Sequence, residues 1–202
     1  MTTVRKLRTR LQIYHAAGKL LHETPYDKLR ATQIAEEALI SRSGFYLYFS
    51  DKDAMVSSYF DFLAKQVKSI CDAHRESAED LNQALIEIIT FLQDEELFAG
   101  LLGRNSTPHI RERAREGIEQ FAMSEVVSYF EMLGFDFEKL ILNKADLEYY
   151  RDSAVSSIIA IFMRWFARRK AERPERIARI IREDLVTFMT ISTPHIKHQE
   201  VR

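Results

Sequence analysis

The residues best suited to chemistry in this sequence are the short polar cluster Ser41, Arg42 and Ser43, which Gly44 follows. Arginine donates hydrogen bonds in a fixed fork that fits the edge of a guanine base, and serine hydroxyls pair with base edges or phosphate. Small residues beside an arginine allow a helix to enter the DNA major groove with its N-terminus first. The chemistry predicted here is recognition of double-stranded DNA, with Ser41, Arg42 and Ser43 as contact residues.

An aromatic run from Phe45 to Phe49 follows the polar cluster. Phe45 and Phe49 are four residues apart, so they share one face of a helix and can pack inward. The hydroxyl groups of Tyr46 and Tyr48 can instead donate hydrogen bonds to the phosphates of the DNA backbone. The alternative for Tyr46 is a half-buried tyrosine that braces the first helix of the chain.

Two short helices and one longer helix must position these side chains. Apolar residues recur at helical spacing from Arg5 to Glu23, and Pro25 marks the end of this first helix. Thr32 can cap a short second helix that reaches Ala38, and Ser41 can cap a third that runs to about Tyr48. Two short helices joined by a turn of three or four residues have the proportions of a helix-turn-helix.

The remainder of the sequence also predicts helices. Long apolar stripes at helical spacing recur to the end of the chain, and capping residues indicate where each helix begins. The predicted starts are at Ser50 or Asp51, Ser77, Thr107 with Pro108, about Asn143, and Pro174. The sequence therefore predicts an all-α fold of about nine helices, with a helix-turn-helix domain over residues 1–51 and a helical bundle over residues 52–202.

Composition supports this class and suggests a compartment. The 202 residues are 46% hydrophobic and include only six glycines and four prolines, which favours a packed helical protein. Cys71 has no second cysteine with which to form a disulfide, and no run of about 18 apolar residues indicates a membrane span. We expect a cytoplasmic protein that does not bind membranes.

Charge is distributed unevenly along the chain. The whole chain has a net charge of −1, but residues 1–50 contain eight Lys or Arg against four acids, which leaves +4 there and −5 in the remainder. A basic first quarter on an acidic body is typical of a protein in which one end meets phosphate. A locally basic surface without a partner is the alternative interpretation.

The stretch "TQIAEEALISRSGFYLYFSDKDAMV" resembles the signature of TetR/AcrR-family transcriptional regulators. The positions that carry the resemblance are Thr32, Ile34, Ala35, Ser41, Tyr46, Phe49 and Lys52. The resemblance implies a homodimeric repressor that binds a pseudo-palindromic operator and is released by a small-molecule effector. It also implies that Thr32, Tyr46, Tyr48 and Lys52 position the DNA backbone. It assigns no effector-binding residue and no cofactor.

The sequence departs from the family pattern at two positions. Leu39 stands in the turn where many relatives have Gly, and a residue with a Cβ atom is disfavoured in a left-handed conformation by about 1 kcal/mol. This departure predicts a turn of different shape. Gly44 stands where many relatives have Thr, so a hydroxyl contact to phosphate implied for that position cannot be made.

Signals for other chemistry are weak. Cys71 and His74 share a helix face but lack the further ligands that a structural zinc site needs. No nucleophile elbow, zinc-protease or phosphate-loop motif occurs, so we predict neither an enzyme nor a metal site. The alternative to a DNA-binding regulator is a helical protein-interaction module whose helix-turn-helix does not recognise a DNA sequence.

The last two predicted helices offer apolar surface for assembly. A single helix-turn-helix makes few contacts, whereas two copies related by a two-fold axis read two half-sites. The last two helices, before and from Pro174, have more apolar residues than a terminal helix pair needs to pack on its own core. Trp165 and Phe188 are the predicted interface residues. Packed against their symmetry mates, these helices would form a four-helix interface.

Overall fold

The computed structural model describes residues 3–74, 76–119 and 144–192, and within these ranges every regular element is a helix. The first elements are α1 (Thr3–Leu21), a short 3-10 helix (Tyr26–Lys28), α2 (Ala31–Glu37) and α3 (Arg42–Tyr46). They are followed by α4 (Lys52–Ala73), α5 (Ala78–Gln93), α6 (Glu96–Leu102), α7 (residues 108–119), α8 (Lys144–Ala167) and α9 (Pro174–Ser192). The predicted all-α class is confirmed. None of these helices is long and apolar enough to cross a membrane.

Capping side chains fix most helix starts where the sequence indicates them. The carboxylate of Asp51 accepts a hydrogen bond from the backbone N–H of Ala54 at 2.7 Å, and this bond begins α4. The Ser77 hydroxyl caps α5 in the same way, and the Thr107 hydroxyl caps α7. Each cap satisfies a backbone donor that the helix itself leaves without a partner.

The predicted cap at Thr32 is wrong by two residues. Helix α2 begins at Ala31 and its N-cap is Arg30, whose backbone N–H donates to the side-chain oxygen of Gln33 at 2.9 Å. A glutamine that reaches back to the cap from the third helical position is half of a capping box, and this bond favours the earlier start. Thr32 lies half-buried in the first turn instead.

One apolar core joins the helix-turn-helix unit to the remainder of the chain. Met55, Val56 and Tyr59 in the first two turns of α4 are fully buried in the same cluster as Phe45 of α3 and Ile13 of α1. The first half of α4 therefore completes the N-terminal unit, while its C-terminal half packs beside α5. The domain boundary at residue 51 stays a prediction.

The last two described helices bury one face within their own subunit. Ile177, Ile181 and Leu185 of α9 are at most 8% exposed, and α9 packs against α5 and α8. Trp165 of α8 is 1% exposed, and its indole N–H donates to the carbonyl oxygen of Glu172 at 2.9 Å. Trp165 is thus a core residue of its own chain, and the prediction that it is an interface residue is corrected. The side chain of Phe188 lies outside the described residues.

Candidate nucleic-acid interface

Helix α3 begins at a side-chain cap that also organises its polar first turn. The Ser41 hydroxyl oxygen accepts a hydrogen bond from the backbone N–H of Gly44 at 2.9 Å and lies 3.0 Å from the Ser43 hydroxyl oxygen. The cap uses one lone pair of the Ser41 oxygen and fixes that side chain, whereas the exposed hydroxyl of Ser43 can rotate toward a partner. Of the two serines, Ser43 has the more mobile hydroxyl, and the DNA contacts of both serines stay predictions.

Arg42 is exposed on the first turn of α3 and has an aromatic support. Its guanidinium carbon lies 5.8 Å from the centroid of the Tyr46 ring, and Tyr46 is itself 45% exposed. A guanidinium stacked on an aromatic face loses rotamer freedom before it binds, because the ring restricts where the side chain can lie. The structure therefore brings Arg42, Ser43 and Tyr46 together on one exposed face.

Two phenylalanines anchor this helix from beneath. Phe45 is completely buried and Phe49 is 5% exposed, and their ring centroids are 5.7 Å apart. Phe49 also contacts the ring of Tyr14 on α1, with centroids 5.8 Å apart. Aromatic pairs at these distances add to the free energy of burial, so α3 has a fixed orientation relative to α1. The inward packing predicted for Phe45 and Phe49 is confirmed.

The turn between α2 and α3 has a left-handed residue despite the absence of glycine. Leu39 has φ 56° and its side chain is 93% exposed. The backbone N–H groups of Leu39 and Ile40 donate to the carbonyl oxygens of Glu36 and Ala35 at 3.1 and 3.0 Å. These bonds close the end of α2 as glycine would, so the prediction of a different turn shape is wrong and the leucine carries the strain.

Gly44 leaves little room above the cap of α3. A Cβ atom at this position would lie 3.1 Å from the Ser41 hydroxyl oxygen, which is a tight contact with the capping group. Residue 44 is also the donor of the cap hydrogen bond. The glycine thus leaves the capping hydroxyl of Ser41 unobstructed.

Lys52, predicted to contact phosphate, is bound within its own chain. Its ammonium group donates to the backbone carbonyl oxygens of Tyr26 and Leu29 at 2.5 and 3.0 Å and lies 4.4 Å from the centroid of the Tyr26 ring. The Tyr26 hydroxyl in turn donates to Asp53 at 2.6 Å. Lys52 therefore ties the start of α4 to the 3-10 helix that precedes α2. A third hydrogen remains on the ammonium group for a phosphate.

The other predicted contact residues lie at the edges of the exposed face. Thr32 and Tyr48 are both half-buried, on α2 and just beyond the end of α3. Leu47, which the sequence analysis does not name, follows α3 and is 78% exposed. An exposed leucine at this place could contact a thymine methyl group in the major groove. The sequence does not show that Leu47 is exposed, because a leucine next to Phe45 and Phe49 fits a buried face equally well.

Comparisons with known proteins agree with this architecture. The family model described as bacterial regulatory proteins, tetR family, matches residues 13–59, which span the C-terminal part of α1 through the start of α4. Residues 13–59 are thus similar to the N-terminal domain of TetR-family regulators. A search of curated proteins found no match to the sequence.

Solved structures extend the TetR-family likeness to the whole fold. The fatty acid degradation regulator FadR from Bacillus halodurans is 16% identical, with 95% of this chain and 97% of that one covered and a TM-score of 0.64. FadR from Bacillus subtilis in complex with stearoyl-CoA is 19% identical over 88% and 98% of the chains, with a TM-score of 0.61. Thermus thermophilus FadR, a TetR-family repressor in complex with lauroyl-CoA, is 17% identical over 96% and 99%, with a TM-score of 0.55.

Helices α1 and α6 meet closely at two glycines, Gly18 and Gly100. A Cβ atom on Gly18 of α1 would lie 2.5 Å from the backbone nitrogen of Leu97, and one on Gly100 of α6 would lie 2.9 Å from the Cβ of Leu21. The side-chain amide of Asn105 then donates to the carbonyl oxygen of Leu21 at 2.7 Å. A shift of α6 toward α1 would press backbone against backbone at Gly18, so the two helices are coupled at this contact.

A buried polar pair stabilises the start of α6. The Tyr59 hydroxyl donates to the carboxylate of Glu95 at 2.7 Å and accepts the backbone N–H of Phe98 at 3.2 Å. Burial raises the pKa of Tyr59 well above its usual value, and burial also raises the pKa of Glu95, although the tyrosine hydrogen bond opposes that rise. Tyr59 thus stays neutral and holds α4 against α6.

Proposed function

We propose that the chain is a homodimeric transcriptional regulator that binds a pseudo-palindromic operator through α3 and acts in the cytoplasm as a repressor. The observation that carries this proposal is the exposed first turn of α3, where Arg42 and Ser43 project beside Tyr46 while Phe45 anchors the helix from below. A helix N-terminus of this kind enters the major groove in helix-turn-helix proteins. The family match over residues 13–59 supports the same role.

Individual contacts follow from exposure and chemistry. Arg42 and Ser43 read base edges, because they are the exposed donors at the front of α3. Thr32, Tyr46 and Tyr48 offer hydroxyl groups to phosphates at the edge of the motif. Lys52 contributes mainly by fixing α4 to the segment before α2, since two of its hydrogen bonds are made within the chain.

We further propose that a small molecule releases the DNA. Two FadR structures of the same fold hold acyl-CoA ligands, which supports an effector in this chain without naming it. The contact between α1 and α6 supports a mechanism, because α6 abuts a helix of the DNA-binding unit at Gly18 and Gly100. Displacement of α6 by a ligand would then change the spacing of the two α3 helices in the dimer.

Selection of bound fragments from random DNA, followed by titration of the selected site with variants, tests this function. Arg42→Ala should lose about 1–3 kcal/mol of binding free energy, mainly at one base pair of each half-site. The matched control is Arg173→Ala, which removes an exposed arginine immediately before α9 and should bind as the wild type does. Equal loss on all sequences would make Arg42 a phosphate contact.

The same selection separates the alternative function. A helical protein-interaction module would retain no preferred sequence after several rounds, and any DNA binding would be weak and uniform across fragments. Enrichment of a two-fold symmetric site favours the regulator, because a symmetric dimer reads symmetric half-sites.

A further inference from the structure

A cavity of about 950 Å³ lies beside the contact between α1 and α6. Its wall combines the C-terminal end of α1, the outer side of α6, the loop before α7 and the C-terminal end of α8. The residues that line it include Leu21, His22, Ala99, Leu102, Arg104 and Phe166. Small-molecule sites in proteins have volumes of about 300–1,000 Å³, so the cavity has the size of a binding site.

Cations from three separate segments converge on this cavity. Arg104 and Arg111 come from the loop before α7 and from α7, and Arg169 and Lys170 follow α8. Glu96 is the one acid among the lining residues, all of which the structure describes. Four cations around one acid give a positive site that attracts an anion.

Hydrogen bonds hold two of these cations in place. Arg111 donates to the carbonyl oxygen of Ser106 at 3.0 Å, and the Lys170 ammonium donates to the carbonyl oxygen of Gln93 at 2.6 Å. Each of these side chains has further N–H donors for a ligand. Arg104 and Arg169 are exposed at the rim and can close on a bound anion.

The turn after α8 has a backbone conformation that costs free energy. Arg169 and Lys170 have φ 54° and 55°, although neither is glycine. Their N–H groups donate to the carbonyl oxygens of Phe166 and Trp165 at 2.9 and 3.0 Å, which keeps both residues in this conformation. Non-glycine residues in left-handed conformations cluster at ligand clamps, because the surrounding structure must offset their strain.

The remainder of the wall is apolar. Leu102 is buried, Phe166 is half-buried and Met163 is 40% exposed toward this side of α8. Ala99 and Gly100 leave the floor free of large side chains. An uncharged chain or ring can therefore lie against the wall while an anionic group meets the cations.

We propose that this cavity binds an amphipathic anion, with a phosphate or carboxylate group at Arg104, Arg111, Arg169 and Lys170 and an apolar part against Met163 and Phe166. The inference deepens the proposed function, because it assigns a site and a chemical class to the effector. Leu21 and Gly100 both line the cavity and touch each other across the contact between α1 and α6. A ligand in the cavity would therefore contact α1, the first helix of the helix-turn-helix unit, at its C-terminal end.

Calorimetric titration of the full-length protein with lauroyl-CoA, laurate and coenzyme A tests the class of ligand. We expect lauroyl-CoA or laurate to bind. Coenzyme A without an acyl chain should bind with an affinity lower by a factor of about ten or more, because it lacks the apolar part. Binding of laurate assigns a carboxylate group to the site, and binding of lauroyl-CoA alone assigns a phosphate. Failure of both chain-bearing probes to bind overturns the proposal.

Charge reversal tests the location. The double variant Arg104→Glu/Arg169→Glu should bind the better probe with an affinity lower by a factor of about ten or more, since the two charges at the rim become negative. Arg173→Glu reverses an exposed arginine outside the cavity and should leave the affinity unchanged. Unchanged affinity in the double variant, with its circular dichroism intact, overturns the site.

Operator affinity, measured with and without the better probe, tests the cavity and DNA recognition separately. The better probe should weaken binding of the selected operator by the wild type, and the double variant should keep its operator affinity in the presence of the probe. If the probe binds tightly but the operator affinity of the wild type stays the same, the regulatory role of the cavity is contradicted, whereas DNA recognition by α3 is not. Absence of any operator contradicts the proposed function and leaves the ligand titration to decide the cavity.

Discussion

At the scale of single residues, Leu39 shows how a turn keeps its shape without the residue best suited to it. Its left-handed conformation is held by backbone hydrogen bonds at the end of α2, while its side chain is 93% exposed and packs against nothing that would offset the strain. The fold accepts this cost because the turn sets the angle between α2 and α3.

Leu39→Gly should therefore stabilise the protein by about 1 kcal/mol, because glycine adopts positive φ without a Cβ clash and loses no buried surface here. The free energy of unfolding in urea measures the effect. Leu47→Gly is the matched control, since Leu47 is also exposed but has φ −71°, and it should destabilise. A destabilised Leu39→Gly protein would mean that the leucine side chain has a partner.

Lys52 is a residue whose role differs from the one that the family resemblance implies. Lys52→Ala should lower the free energy of unfolding by about 1–3 kcal/mol, because two buried carbonyl oxygens lose a charged donor. Lys28→Ala, which removes an exposed lysine from the same segment, should have little effect on stability. If Lys52→Ala unfolds like the wild type but lowers the salt dependence of DNA binding by about one unit, Lys52 is mainly a phosphate contact.

At the scale of secondary-structure elements, the contact between α1 and α6 links the helix-turn-helix unit to the remainder of the chain, in addition to the continuous helix α4. Gly18 and Gly100 allow the two helices to approach at backbone distance, and Asn105 fixes the end of α1 by donating to Leu21. The Tyr59 hydrogen bonds place the start of α6 against α4. Helices α1 and α4 are thus both attached to α6, at different sides of that helix.

Gly18→Ala should destabilise the protein by about 1–3 kcal/mol, because the new methyl group would meet the backbone of α6 rather than a movable side chain. Thermal unfolding followed by circular dichroism measures it. Gly44→Ala is the control, since its Cβ would meet side-chain atoms of Ser41 and Ile40 rather than backbone, and helix propensity favours alanine and opposes the cost of the tight contact with the Ser41 hydroxyl at 3.1 Å. Similar stability of both variants would show that α1 and α6 separate readily.

At the scale of the whole molecule, the groove between α8 and α9 is the surface that we predict a second subunit to cover. Trp165 and Ile177 are buried at its base, while Ile161 and Ile180 are half-buried along it. Deletion of α9 would expose the core of the same subunit, because one face of that helix is buried there. Substitutions in the groove are therefore the cleaner test of assembly.

The double variant Ile161→Glu/Ile180→Glu should sediment as a monomer at micromolar concentration and lose operator binding, because a dimer would bury two unpaired charges from each subunit at several kcal/mol each. Met163→Glu places the same charge on another exposed side of α8 and should remain dimeric. A wild-type chain that sediments as a monomer would contradict the dimer and leave the helix-turn-helix assignment in place.

The sequence by itself determined the features that depend on neighbours along the chain. The caps at Ser41, Asp51 and Ser77 and the inward face of Phe45 and Phe49 are set within one or two helical turns, so composition and spacing suffice to predict them. The same local pattern carried the family resemblance.

Only the tertiary structure decided which distant groups meet. Lys52 turns toward carbonyl oxygens 23 and 26 residues earlier, and Asn105 contacts Leu21 across 84 residues. Trp165 has the same apolar character in a core as at an interface, so its sequence position could not distinguish the two. The cavity beside α1 and α6 collects cations from segments far apart in the chain, because its shape depends on how whole helices pack rather than on any one of them.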